Sequence, residues 1–370
     1  MTEDTPSTGE LRPDSARGRV IAVMSGKGGS GKTMVATTIA RRLSGEDHPV
    51  LLVDGDLGTG GLSYYLALNY VRNIRNGLTD LLLGRPVEDG ELRSRYLQRV
   101  TFAPRSGNAL FLPVGDFRKL KLVRSEPVVP SEPPVALLLE RSLGRLKAAL
   151  MTEEATMVVD CRGGVDEETF AIGRVVDDII LVSEPDTTSF QATRHLAESL
   201  SDEGLGHKIT GFVLNKVFED PTVVLRNGTS SFGAQPLGAV PFDPVATRAF
   251  LVGEVPPASS AFWVHVVDAL ARLYPHDVDP PDRERLYRPE QYAALGLTSP
   301  ASTRGGYALA MVALVLGSVL VVGEAAGGVN GTTRLVGLVV LATTALFAGI
   351  ESVRRTVGRT IEALFRLVGL

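Results

Sequence analysis

The stretch SGKGGSGKT, residues 25–33, decides how the chain around it must fold. Gly26 to Thr33 spells G-x-x-x-x-G-K-T, a loop whose backbone N–H groups cradle phosphates while its lysine reaches the terminal oxygens and its hydroxyl holds magnesium. Gly26, Gly28 and Gly31 also satisfy G-x-G-x-x-G, and Asp54 lies about 20 residues further on, where a dinucleotide fold keeps its ribose-binding acid. Lys32 and Thr33 decide for the phosphate loop. A cation in the first turn of a helix opposes the helix dipole unless an anion sits there to receive it. One lysine is enough for that grip, and Lys27 is a second.

Before the loop, VIAVMS (20–25) is a short apolar run; after it, TMVATTIARRL places Val35, Ile39 and Leu43 at helical spacing. PVLLVD (49–54) is continuously apolar and too short for a helix, which predicts a strand buried on both faces. LFLPVG (110–115), TMVVD (156–160), DIILVS (178–183), ITGFVLNKV (209–217) and LGAVPF (237–242) are further expected strands. Helical stretches separate most of them, notably over 135–150, 189–200 and 258–273. This alternation predicts an α/β fold: a mostly parallel, doubly wound sheet with flanking helices, over residues 18–275. RSEPVVPSEPPV (124–135) reads as a proline-rich loop within it.

The 370 residues are 44% hydrophobic and 22% charged with a net charge of −4, which suits a globular protein and gives no reason to expect a nucleic-acid partner. One cysteine, Cys161, excludes an intramolecular disulfide, and the five histidines lack metal-ligand spacing. Residues 1–17 carry acids and no apolar core, so they read as a disordered leader and not a signal peptide. Residues 276–304 have the prolines and charges of a linker.

A new composition follows the linker. GYALAMVALVLGSVLVVG (306–323) is uncharged over about 18 residues and LVGLVVLATTALFAGI (335–350) over about 16, against the ~20 that span a bilayer. Both are apolar on every face, which predicts a two-helix transmembrane hairpin over 305–350 in place of a buried pair of core helices. Arg304 precedes the hairpin, Arg354, Arg355, Arg359 and Arg366 follow it, and Arg334 lies in the connection, so both ends should face the cytoplasm. In the tail, 351–370, Val353, Val357, Ile361, Leu364 and Val368 share one helical face, and Arg355, Arg359, Glu362 and Arg366 another. This amphipathic helix suits the anionic inner leaflet, or packing on the soluble domain or a second copy.

Carboxylates at strand ends complete the expected site. Asp160 in MVVDCRGG is placed to hold a metal, and Asp54 and Asp56 in VDGDLG can orient an attacking water and support the metal's hydration shell. The set of K-G-G-x-G-K-T with Lys27, then LLVDGDLG, VVDCRGG and VLNKV, resembles the deviant Walker A ATPases of the MinD/ParA superfamily from about residue 20 to 273. DGDLGTGGLSYYLAL and GLTDLLLG are similar to the branch holding the CpaE/TadZ, MinD and FlhG proteins.

That resemblance implies ATP bound with Mg²⁺ by Gly26, Gly28, Gly29, Ser30, Gly31, Lys32 and Thr33, with Asn215 against adenine. It also implies an ATP-sandwich homodimer in which Lys27 reaches the partner's phosphates. Lys27, Lys32 and Asp56 would then be catalytic, Asp56 positioning the water, and Thr33, Asp54 and Asp160 would lie at the metal. Arg162 departs from the proline usual after the metal-binding acid, and a fused hairpin removes the membrane-release step. The function expected is a slow ATPase on the cytoplasmic membrane, multi-pass, with its ATPase domain in the cytoplasm, organising or recruiting an unidentified protein partner. A bacterial tyrosine kinase would need a tyrosine-rich tail, but no tyrosine follows Tyr307. A DNA-partitioning ATPase would lean on the basic run FRKLKLVR (117–124), and a non-hydrolysing scaffold on Arg162.

Overall fold

Short apolar runs form strands here because helices cover both of their faces. The computed structural model describes residues 15–281 apart from 46–47, 85–88, 103–107, 117, 120–133, 152–153 and 219. The strands are β1 (Val20–Ser25), β2 (Val50–Asp54), β3 (Gln98–Thr101), β4 (Asn108–Leu112), β5 (Thr156–Gly163), β6 (Asp178–Ser183), β7 (Ile209–Val217) and β8 (Pro236–Pro241). They form one sheet in the order β3-β4-β2-β5-β1-β6-β7-β8, parallel except for the antiparallel β3–β4 pair at one edge. Sequence reasoning missed β3. In QRVT only Val100 is buried, so neither alternation nor an apolar run marks it.

Along β1, Ile21 and Val23 enter one core and Val20, Ala22 and Met24 the other, the alternation that a pleated strand imposes. The first core is closed by α1 (Lys32–Leu43), α2 (Gly61–Ala67) and the C-terminal helices, whereas the small helices α3 (Leu78–Leu83) and α4 (Asp89–Arg95) turn Leu78, Leu82 and Leu92 to the opposite core. The opposite core is closed by α5 (Val135–Met151), α6 (Glu167–Val175), α7 (Thr187–Asp202) and α8 (Thr222–Phe232). On the first face the C-terminal pair is α9 (Pro244–Leu251) and α10 (Ala261–Leu273). Val35, Ile39 and Leu43 are all buried on one side of α1, as their spacing predicts.

The folded unit extends past both expected margins. Ala16, inside the expected leader 1–17, is fully buried, and Ser15 Oγ donates to Asp277 Oδ2 at 2.8 Å. Asp277 and the buried Val278 belong to the expected linker 276–304. The rest of that linker from 282 on, the hairpin expected over 305–350 and the tail 351–370 lie outside the described residues. So do most of the proline-rich segment 124–135 and of the basic run 117–124. The chain divides into two units, Met1–Tyr287 and Arg288–Leu370, and the described residues all fall in the first. Among the described residues no helix is long and apolar enough to cross a membrane.

At the N-terminal edge of the sheet, Asp178 is fully buried and answered from two sides. Arg19 Nη2 donates to its Oδ1 at 2.9 Å, and the Tyr274 hydroxyl at the end of α10 donates to its Oδ2 at 2.8 Å. Burial, together with the charge of Asp178, pushes the Tyr274 phenol well above its usual range. A hydrogen bond to a buried charge is worth about 1.5–3 kcal/mol. Tyr274→Phe is therefore expected to lower unfolding stability by about that amount in urea titrations, and to leave ligand binding at the opposite edge unchanged.

Candidate functional site

Three adjacent strands, β2, β5 and β1, end together, and their carboxyl ends hold most of the residues singled out from the sequence. Asp54 pairs in register with Asp160, Asp160 pairs with Val23, and Gly55 N donates to the Asp160 carbonyl at 2.9 Å. Ligands of open α/β sheets bind at this edge, where the strand order switches direction.

The loop after β1 folds as its glycines require. Gly31 sits at φ 92°, a conformation L side chains rarely adopt, and a Cβ there would lie 2.3 Å from the Asn215 amide nitrogen. On the other side, a Cβ on Gly163 would come within 2.5 Å of the Gly28 nitrogen, so β5 can approach the loop only as glycine. Asn215, buried at the end of β7, donates from Nδ2 to the Ser30 carbonyl at 2.8 Å and braces the loop. The helix that follows is left open. α1 has no side-chain cap and no acid in its first turn, whereas Asp166, Asp186, Asp243 and Ser260 cap α6, α7, α9 and α10. Its N-terminal amides are thus free of side-chain partners and available to an anion.

Lys32 is only 7% exposed, with Nζ donating to Ser25 Oγ at 2.8 Å and to the Lys27 carbonyl at 3.4 Å. Burial pushes its ammonium below the usual lysine range, and the charge of Asp160 opposes that shift. Thr33 Oγ1 donates to Asp160 Oδ2 at 2.7 Å, while Asp160 Oδ1 is buried with no hydrogen-bond partner among the described residues. Burial, reinforced by the charge of Asp54, raises the Asp160 carboxyl to about 7. Burial likewise raises Asp54 to about 7, against hydrogen bonds that favour its charged form.

Asp54 is engaged on both oxygens. Its Oδ2 accepts from Ser63 N at 2.7 Å and Ser63 Oγ at 2.6 Å, and its Oδ1 accepts from Asp56 N at 3.1 Å. It therefore braces the start of α2 and the turn after β2. Asp56 is half-buried on that turn, and its Oδ1 accepts from Gly58 N and Thr59 N, both at 3.0 Å. Lys27 extends away from Lys32: its Nζ lies 3.4 Å from Asp186 Oδ1 and donates to Thr188 Oγ1 at 3.2 Å. Gly26, Gly28, Gly29 and Ser30 line the same loop, and Lys216 Nζ reaches the Gly29 carbonyl at 2.6 Å while pairing with Glu184 at 3.0 Å.

The residues fit a magnesium-bound nucleotide. Thr33 and Asp160 set a hydroxyl beside a buried carboxylate oxygen that has no partner among the described residues, the hard-oxygen donors that Mg²⁺ prefers, while Lys32 and the open end of α1 suit phosphate. Sequence reasoning had not singled out Ser25, Ser63, Asp186, Glu184 and Lys216. Asp186 could have been found, since D-T-T-S at a helix start is a capping signal and its Oδ1 accepts from Ser189 N at 3.0 Å. Ser25 and Ser63 lie only 7 and 9 positions from Lys32 and Asp54 but carry no pattern that marks them, while Lys216 is joined to Gly29 across 187 positions.

A carboxyl raised from 3.8 to about 7 in the folded state stabilises the fold below the unfolded value and loses that contribution as pH rises through the folded one. In the nucleotide-free protein, urea midpoints should therefore fall between about pH 4 and pH 7 on account of Asp160. Asp160→Asn, which keeps the acceptor for Thr33, should flatten that decline relative to the unaltered chain.

The family model described as the CobQ/CobB/MinD/ParA nucleotide binding domain matches residues 21–256, well over half of the chain. A putative septum site-determining protein MinD of Emiliania huxleyi is 27% identical over 188 residues, covering 50% of this chain and 60% of that protein. The chain thus spans less than two thirds of that relative's length. An uncharacterised ATP-binding protein of Methanocaldococcus jannaschii is 26% identical over 239 residues, covering 63% of this chain and 78% of that protein. The solved structure of the septum site-determining protein MinD of Pyrococcus horikoshii, complexed with Mg-ADP, superimposes with a TM-score of 0.53 at 25% identity, covering 69% of this chain and 95% of the other. By the family match, the sheet order and the glycine loop between β1 and α1, the chain belongs to the CobQ/CobB/MinD/ParA nucleotide binding domain family.

Proposed function

We propose that this chain is a membrane-tethered, magnesium-dependent ATPase with a deviant Walker A loop, active as an ATP-bridged homodimer that recruits or organises a protein partner at the cytoplasmic membrane face. One observation carries the ATPase proposal. The uncapped end of α1 and the buried Lys32 ammonium suit an anion, and beside them Asp160 Oδ1 has no hydrogen-bond partner among the described residues, which suits a cation. A magnesium nucleotide answers both at once, and the Pyrococcus horikoshii relative was solved with Mg-ADP.

In this scheme the amides of residues 28–33 and Lys32 take the phosphates, with Ser25 Oγ aiming the ammonium. Thr33 and Asp160 hold the ion, which when bound neutralises phosphate charge. Asp56 orients the attacking water, and Asp54 fixes the Asp56 turn through the Asp56 amide. Asn215 braces the loop through one amide hydrogen and keeps the other for the adenine ring. Lys27 leaves Asp186 and Thr188 when a second protomer closes on the nucleotide, and meets the partner's phosphates where negative charge accumulates in the transition state. Residues 306–323 and 335–350 supply the tether, supported by their length without charge and by the arginines that flank them.

Lys32→Ala should abolish nucleotide binding measured by equilibrium fluorescence. Lys27→Ala and Asp56→Ala should keep binding and lose turnover by about 10²-fold or more, the scale of removing one transition-state group. Lys27→Ala should in addition fail to dimerise with ATP in sedimentation. Unchanged hydrolysis in either variant would refute the catalytic assignment. After carbonate extraction the full-length protein should stay with the membrane pellet, and its release into the supernatant would remove the tether.

A further inference from the structure

Arg162 is the charged side chain at the carboxyl end of β5, where that strand meets the glycine loop and the turn after β2. The next residue, Gly163, packs on Lys27 and Gly28, and Gly164 N donates to the Ser25 carbonyl at 3.0 Å. Its ion-pair partner, Asp166, is 3.9 Å away and already caps α6, with Asp166 Oδ1 accepting from Thr169 N at 2.8 Å. The guanidinium instead lies against Gly58: a Cβ built there would sit 3.2 Å from both Cζ and Nη1 of Arg162. Asp56 Oδ1 lies 3.3 Å from that same point, which places the guanidinium carbon within about twice that distance of the Asp56 carboxylate. Gly58 N is one of the two amides that fix Asp56.

We propose that Arg162 is a positioning residue of this site, whose planar guanidinium seats on Gly58 and holds the Asp56 turn against the end of β5. The proposal rests on the ATPase reading for its kinetic consequence and on geometry for its structural one. A flat, delocalised cation can cover a glycine turn and face a carboxylate at the same time, which a lysine ammonium, a compact and strongly hydrated point charge, does less well. The side chain is 46% exposed, so it acts as a clamp over the turn and not as part of the core.

The test uses the full-length chain and two readouts. Arg162→Ala should raise the amide exchange rates of Gly58 and Thr59 in the nucleotide-free protein by about tenfold, because the turn opens locally more often. In ATP hydrolysis it should lower kcat by about tenfold with KM within about twofold, the pattern of a group acting on the transition state through another residue. Arg162→Lys should fall between the two, and Gly58→Ala, which crowds the guanidinium while keeping every charge, should shift both readouts in the same direction as Arg162→Ala. Arg162→Ala should add no further loss to the residual rate of Asp56→Ala, since interacting residues are not additive. Unchanged exchange at Gly58 and Thr59 overturns the proposal. A KM rising in step with the lost kcat, or additive losses with Asp56→Ala, also overturns it, by making Arg162 a direct phosphate ligand. If the unaltered protein hydrolyses no ATP, the ATPase reading and the kinetic consequence fall together, while the exchange rates still decide whether Arg162 holds the turn.

Discussion

The bond from Thr33 Oγ1 to Asp160 Oδ2, 2.7 Å long, joins the first turn of α1 to the end of β5, and the domain is arranged around that meeting. Parallel pairing of β1 with β5 brings the two strands into register up to Val23 and Asp160. The buried stripe of Val35, Ile39 and Leu43 then presses α1 onto the sheet. With both backbones fixed by packing, the hydroxyl and the carboxylate have little freedom to separate. The consequence is a site held together by the core on either side of it, with its own polar groups only partly answered.

That incompleteness sits at one edge of the sheet. At the N-terminal edge, Asp178 is matched by Arg19 and Tyr274, and Asp277 by Ser15 and the Ala16 amide, so charge and hydrogen bonding are satisfied there. At the C-terminal edge, α1 is without a side-chain cap, Asp160 keeps an oxygen without a partner among the described residues, and burial raises Asp54 and Asp160 both to about 7, with the charge of Asp54 adding to the rise at Asp160. Buried polar groups in folded proteins are normally paired, so a concentration of unpaired ones marks a place where a ligand completes the structure.

The two lysines of the loop divide by environment. Lys32 is buried and aimed by Ser25, whereas Lys27 is partly exposed and held by surface groups, Asp186 and Thr188, across 3.2–3.5 Å. Exposed ion pairs of this kind contribute little to stability and are readily exchanged for another anion. In the proposed dimer the buried cation would serve its own protomer's phosphates, and the exposed one could exchange Asp186 for the partner's. Arg162, at the end of β5, adds a further cation that rests on Gly58 beside Asp56.

The sequence by itself determined the strand–loop–helix start, seven of the eight strands and the two covered faces, because continuous apolar runs and a 3.6-residue stripe can be buried in only one way each. It also determined Lys32, Thr33 and Asp160 as a set, since their chemistry depends on residue type and position at a strand end. It left β3 unmarked, because an edge strand with one buried residue carries no periodic signal. Only the tertiary structure decided that Asp54 is tied to Ser63, that Asn215 and Lys216 grip the glycine loop from β7, and that Arg162 rests on Gly58. Apart from the local contact of Asp54 with Ser63, these join residues far apart in the chain, and the distance between such residues is set by sheet order and packing, which no local pattern encodes.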